Sequence, residues 1–397
     1  MGAATAEFLA SQRRQKVLLL EQFEPGHQRG SSHGDGRIIR IAYPEAVYLE
    51  MVRQVYPLWS EIEARTGESL MQTTGNWECG PAGCRPLADL EASFQAHGVH
   101  NERLAAAESN RRFPQFRLEP GSEAIYHADG GVLVATRAVE ALWRLARAAG
   151  VETVTGARVT GVEVNSEQLT VNSESFEDSG REEGRRKKEE GRGRKSWRGR
   201  RLVVTAGAWA GKLLAQLDLD LPLKVTQEQV AYFRPKERAA EHAVGTMPTC
   251  IDYHADPPFY CLPQISRRGP QAGVKAGWHH TGAAIDPDRP QPFDEENLAA
   301  VQDFLRHRLP HLDTRPFGLA RCLYTNTPDY HFILDRHPSW PQILIGAGFS
   351  GHGFKFAPLI GRILAALALD ETPPVPLAHF AIGRFAHVDR LVKRINA

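Results

Sequence analysis

The sequence predicts an α/β fold of mixed α+β character, organised around a Rossmann-like parallel sheet that binds a nucleotide. Three segments predict it. The chain opens on a helix-forming stretch followed by the apolar run KVLLLE; LVVTAGAW follows a basic loop; ILIGAGFSGHGFK joins an apolar run to clustered glycines. Short apolar runs of this kind are the mark of buried parallel strands, and glycine-rich turns after them can present backbone amides to a phosphate.

Ala3 to Arg14 (AATAEFLASQRR) is rich in helix formers, and Lys16 to Glu21 (KVLLLE) is an apolar run ending in an acid. Helix followed by strand is what comes after a glycine-rich phosphate turn. In that arrangement an acid about 20 residues past the glycines accepts hydrogen bonds from a ribose. Glu21 stands at that distance from Gly2, which would then be the third glycine of the fingerprint. The strand and two glycines expected before it would lie ahead of Met1, so an incomplete or alternative start is expected here. An acid at a strand end also fits a purely structural part.

Ser31 to Arg40 (SSHGDGRIIR) gathers two glycines, a histidine and two arginines into a short loop. On a helical backbone Arg37 and Arg40 would share a face, where their planar forks suit a carboxylate or phosphate; a solvated basic turn is the alternative. From Glu45 to Thr66, Val52, Val55, Trp59 and Ile62 recur at helical spacing and mark a core face, with Pro57 predicting a kink or break. Residues 198–209 (RGRRLVVTAGAW) read as a basic loop, a buried strand and a small-residue turn at Gly207. Ile343 to Lys355 repeats that pattern with four glycines in eight residues, then a helix from Phe354 to Leu369. Its amides could face a ring or a pyrophosphate.

Composition narrows the classes. The 397 residues, 42% hydrophobic and 24% charged, describe an ordinary protein of about two domains, and a net charge of +1 gives no global reason to expect nucleic acid or a membrane surface. No apolar run approaches a membrane span, the first residues lack signal-peptide order, and no metal is expected. The five cysteines (Cys79, Cys84, Cys250, Cys261, Cys322) suit a reducing compartment better than a disulfide framework.

Cys322 to Pro338 (CLYTNTPDYHFILDRHP), taken with GFSGHGFK and SSHGDGRIIR, resembles the sarcosine and pipecolate oxidase family of FAD-dependent amine oxidases, from Gly2 to about Phe385. The resemblance implies a fold of the D-amino acid oxidase class, an FAD domain interleaved with a substrate domain on an antiparallel sheet. It places the FAD domain at 1–75, 130–225 and 320–370, and the substrate domain at 76–129, 226–319 and 371–397. It implies covalent FAD, linked through Cys322 to the flavin 8α carbon, with Arg40 and Lys355 holding a substrate carboxylate. Tyr260, His279 and Tyr324 would line the pocket over the flavin, and Lys275 would promote reaction with oxygen. His33 and Arg37 would pack beside the flavin. Gly2, Glu21, Ser31, Ser32, Val159, Gly207, Gly348, Phe349, Ser350, Gly351, His352, Gly353 and Lys355 complete the cofactor-binding set. The activity implied is oxidation of a secondary amino acid such as sarcosine or L-pipecolate to an imine, with O2 reduced to H2O2, by a monomer. A related flavin enzyme acting on another N-methyl amino acid, and an inactive remnant with a binding role, are the alternatives.

Two features depart from the resemblance, the strand and first two glycines expected ahead of Gly2 and a basic insert, and the expected address is a third mismatch. Asp178 to Arg201 carries eleven basic and five acidic residues, net +6, and reads as a solvated, disordered insert. The resemblance implies a peroxisomal location, but the chain ends Ile395-Asn396-Ala397, which does not match a Ser-Lys-Leu tripeptide. A cytoplasmic location is the alternative.

Overall fold

The computed structural model describes residues 1–165, 168–175, 193–266 and 272–385. The chain divides into two compact units, one formed by Met1–Gly30, Val139–Val225 and the residues from Tyr324 onward, the other by Ser31–Ala138 and Thr226–Leu323. Residues 31–75 thus group with the second unit and 371–385 with the first.

In the first unit the opening helix, Gly2–Arg13, leads to the strand Leu18–Leu20, which pairs in parallel with Glu152–Val154. Leu202–Val204 pairs in parallel with Ile343–Ala347, whose other neighbour, Ile333–Arg336, runs antiparallel. Parallel strands are buried on both faces, which is why Ile343, Leu344, Ile345 and Ala347 are all fully buried. The glycine-rich segment after them turns through Phe354–Phe356 into the helix Ala357–Ala368. Leu9 of the opening helix packs with Leu344, Ala365 and Ala368, so three of the segments read from sequence share a core.

The second unit is built on a nine-stranded sheet. Its path runs through Lys224–Phe233, Val274–Trp278, Phe259–Leu262, Thr249–Asp252, Asn76–Pro81, Ser122–His127 and Glu102–Ala105, with Gly318–Asn326 also paired to Lys224–Phe233. Along that path pairing is antiparallel except between Thr249–Asp252 and Asn76–Pro81. A smaller sheet joins Arg37–Ile39 and Met71–Thr73 to Gly131–Leu133. Trp77 and Phe116 stack at 4.4 Å between centroids in a core with Phe233, Leu305 and Leu309.

Three expectations need correction. Pro57 does not break its helix, which runs from Ala46 to Thr66. Pro57 is on the exposed side, while Val52, Val55, Trp59 and Ile62 are buried along the opposite stripe and hold the helix together. Arg37 and Arg40 do not share a helical face, because Arg37–Ile39 is a strand. The end of the basic segment is ordered: Arg194–Gly199 is an edge strand, pairing Trp197 with Val171. A row of exposed Arg and Lys is a common way to blunt a sheet edge. Residues 178–192 and the ending Ile395-Asn396-Ala397 lie outside the described residues. Among the described residues no helix is long and apolar enough to cross a membrane.

Candidate functional site

The loop before the strand Arg37–Ile39 folds back on the end of the second unit. Ser31 donates through its hydroxyl to the carbonyl of Leu323. Arg37 Nη2 donates to the Ser31 carbonyl at 2.7 Å and lies 3.8 Å from the sulfur of Cys322. Cys322 is buried, and all five cysteines are free thiols. His33 is also buried, and Ser32 is exposed.

Lys275 lies on the strand Val274–Trp278, 6% exposed, and donates from Nζ to the Gly36 carbonyl at 3.1 Å. Burial, reinforced by the charge of Arg37, pushes its pKa well below the ordinary lysine value, against the opposing pull of Cys322 and Asp35. Tyr260 and His279 meet edge to face at 6.2 Å, and burial pushes the Tyr260 phenol up. These residues therefore form one cluster: a buried thiol, two cations and two rings from four segments of one unit.

Arg40 points elsewhere. Its Nη1 forms an ion pair with Glu78, a carboxylate with no exposed surface, and its guanidinium carbon lies 5.5 Å from the centre of the Tyr43 ring. Glu78 was not expected from sequence. It is the acid in the run NWECG of an otherwise buried strand, and an ionised side chain in such a run needs a partner; that is the signal available.

In the first unit, the turn after Ile343–Ala347 is tightly built. Gly348 and Gly351 have φ of +63° and +77°, and a Cβ on them would lie 2.5 Å from Thr327 and 2.3 Å from Tyr324. Only glycine fits such positions. Ser350 is fully buried and its N–H donates to the Thr325 carbonyl at 3.0 Å. Phe349 meets Phe332 edge-on, His352 Nε2 lies 3.1 Å from the Tyr330 carbonyl, and Gly353 opens the turn into the helix. Lys355 is 5% exposed and donates from Nζ to the His352 carbonyl at 3.0 Å. Tyr324 is buried beside Gly351.

The other first-unit residues are spread along the strand ends. Gly2 begins the opening helix, where a Cβ would come within 2.7 Å of the Thr205 hydroxyl, the close helix-to-strand packing for which the third fingerprint glycine is needed. Glu21 follows Leu18–Leu20; it accepts the Phe23 N–H at 3.0 Å, and burial raises its pKa. Gly207, with φ of +54°, starts the turn after Leu202–Val204. Val159 is half-buried on a strand opposite Ser173.

These features fit a flavin nucleotide: in the first unit an acid and a close-packed glycine at a parallel strand and a cradle too tight for any Cβ, and in the second a buried lysine and a half-buried arginine beside a free thiol. The family model of the FAD dependent oxidoreductases matches residues 1–367, and the chain belongs to that family. It is therefore an FAD-dependent oxidoreductase. Among known proteins it is similar to peroxisomal sarcosine oxidase of Homo sapiens, 36% identical over 390 residues covering 97% of this chain and 93% of the relative. Monomeric sarcosine oxidase of Bacillus sp. is 32% identical, covering 99% and 96%. The structure of NikD, described as an unusual amino acid oxidase, superposes with a TM-score of 0.80 at 24% identity, covering 96% of this chain and 94% of that one, a likeness of fold.

Proposed function

We propose that this protein oxidises secondary amino acids of the sarcosine and L-pipecolate kind at the carbon–nitrogen bond, using FAD attached through Cys322. Family membership supports the reading, and the observation that carries it is the free, buried Cys322 thiol held 3.8 Å from the Arg37 guanidinium. Bound FAD supplies the two-electron chemistry, taking electrons from the amine and returning them to O2 as H2O2.

The chain's own residues do the positioning. Arg40 and Lys355 are the cations proposed for the substrate carboxylate, and Tyr260, His279 and Tyr324 the walls that exclude water from the amine. Lys275 provides positive charge where oxygen gains electrons. Gly2, Glu21, Val159, Gly207 and the turn from Gly348 to Gly353 are assigned to the nucleotide, and Ser31, Ser32, His33 and Arg37 to the flavin ring. The product imine hydrolyses when the amine is open-chain and stays cyclic when it comes from pipecolate. A neutral amine is the reactive form, so turnover should rise with pH through the amine ionisation of bound substrate. A monomeric, peroxisomal enzyme is the matching context, by likeness to the relatives.

The test is to denature the purified chain in acid and look for yellow fluorescence that travels with the polypeptide on a gel. Fluorescence that disappears in Cys322→Ser supports the assignment; flavin released freely by acid removes the covalent link and leaves a dissociable oxidase.

A further inference from the structure

We propose that Glu78 is a specificity-determining residue: held against Arg40 in a buried, net-neutral ion pair, it weakens the grip on the substrate's carboxylate and so narrows the preference for amino acids over uncharged amines. This rests on the reading of Arg40 as a partner of that carboxylate.

Glu78 is fixed from every side. It lies on the strand Asn76–Pro81, paired on one side to Ile251 and on the other to Ile125, so its backbone cannot shift without breaking two ladders. Its Oε1 accepts from Arg40 Nη1 and from Asn76 Nδ2 at 2.7 Å, while Oε2 accepts from the Tyr253 hydroxyl at 2.7 Å. Asn76 is itself held, its Oδ1 accepting from the Thr249 hydroxyl at 2.8 Å. A carboxylate with no exposed surface and three donors stays in place.

Two further neighbours, Tyr43 and His127, add no charge. Tyr43 presents its ring to the guanidinium. His127 is buried, with both ring nitrogens unpartnered; burial and then the charge of Arg40 lower its pKa to about 3, so it is neutral at physiological pH. The guanidinium side chain is only 18% exposed. An incoming carboxylate would therefore approach a cation whose charge is already matched, and would be a second anion in a poorly solvated place. Arg40 keeps unused donors on its fork, so it can still orient that carboxylate, with less Coulombic reward. An amine without the carboxylate loses nothing by the presence of Glu78.

The experiment compares wild-type holoenzyme with Glu78→Gln, which keeps the shape and removes the charge. Sarcosine and sarcosinamide serve as the charged and uncharged substrates, and acetate as a competitive anion. We expect the acetate inhibition constant and the sarcosine KM to fall roughly tenfold in Glu78→Gln, while the sarcosinamide KM stays put, the scale of one moderately screened charge. An unchanged or higher acetate constant, with flavin content and thermal midpoint intact, overturns the proposal and leaves Glu78 as a support for Arg40. If Glu78→Gln does not fold, because Arg40 becomes an unpaired buried cation, Glu78→Asp carries the test. Its shorter carboxylate retreats from Arg40, and acetate must then bind several-fold tighter than to wild type, or the proposal fails. A wild-type chain that carries no flavin and turns over neither amine sinks the oxidase reading itself, before any variant is made, and the Glu78 assignment with it.

Discussion

Arg40 and Lys275 are largely buried cations on the same unit, and their surroundings treat charge in opposite ways. Arg40 is matched by Glu78, and although burial works against its charge, that carboxylate outweighs the burial and keeps it protonated. Lys275 has a carbonyl for a partner, the like charge of Arg37 nearby, and Asp35, whose own carboxyl is raised by burial despite the lysine. One region is balanced before any ligand arrives, and the other holds an excess of positive charge. A preorganised, unbalanced cation is worth most where negative charge appears during reaction, because nothing has to rearrange to meet it. A balanced pair resists change and serves geometry.

The largest effect should therefore come from Lys275. Lys275→Met should slow the reaction of the reduced enzyme with oxygen by about 10²–10³, the usual consequence of deleting one preorganised electrostatic group, while reduction by sarcosine changes far less. Stopped-flow measurement of the two half-reactions separates them, and equal slowing of both would mean that the lysine merely supports the fold. In the wild type the oxygen step should weaken as pH rises, since only the protonated lysine is a cation. Its midpoint should fall well below the ordinary lysine value, because burial lowers the pKa.

A second buried arginine held by a carboxylate can be tested as well. On the second unit Asp252 accepts from Arg308 Nε at 2.6 Å and pairs with His254 Nδ1 at 2.7 Å, next to the buried Cys79. Asp252→Asn leaves Arg308 buried without a counter-charge and should cost about 3–5 kcal/mol in urea unfolding, with the oxygen step untouched at temperatures where the variant is folded. A loss under about 1 kcal/mol would place this pair among weak surface pairs, and the contrast between balanced and unbalanced regions would lose its basis.

The same contrast explains what could be read from sequence. Parallel strands announce themselves as apolar runs, so Leu18–Leu20, Leu202–Val204 and Ile343–Ala347 were legible, as was the glycine turn that follows the last. The Cys322 segment carried the family. Pairings across the sheet were not legible: Glu78 meets Arg40 from 38 positions away, and Asp252 meets Arg308 from 56 away. No local periodicity encodes such contacts. Helical spacing of Arg37 and Arg40 misled because the two β-branched residues between them, Ile38 and Ile39, take the segment into a strand, and a strand edge claimed residues whose composition alone read as disorder. Residue type can say that a buried acid needs a cation, but only the fold says which one.

His254 offers the smallest and most specific test of the balanced region. Its hydrogen bond to Asp252 comes first among the causes that raise its pKa from 6.5 to about 9. A histidine whose folded pKa exceeds its unfolded value contributes stability that is fully present below pH 6.5 and is lost as pH rises through about 9. Its side chain is 32% exposed, so solvent screening trims the gain. The thermal midpoint should therefore decline by about 2–4 °C across that window, the shift that corresponds to roughly 1 kcal/mol in a domain of this size. His254→Gln should flatten this decline, whereas Asp252→Asn should abolish it by removing the charge that raises the histidine. An undiminished slope in both variants would assign the alkaline loss to other groups and would leave Asp252 paired to Arg308 alone.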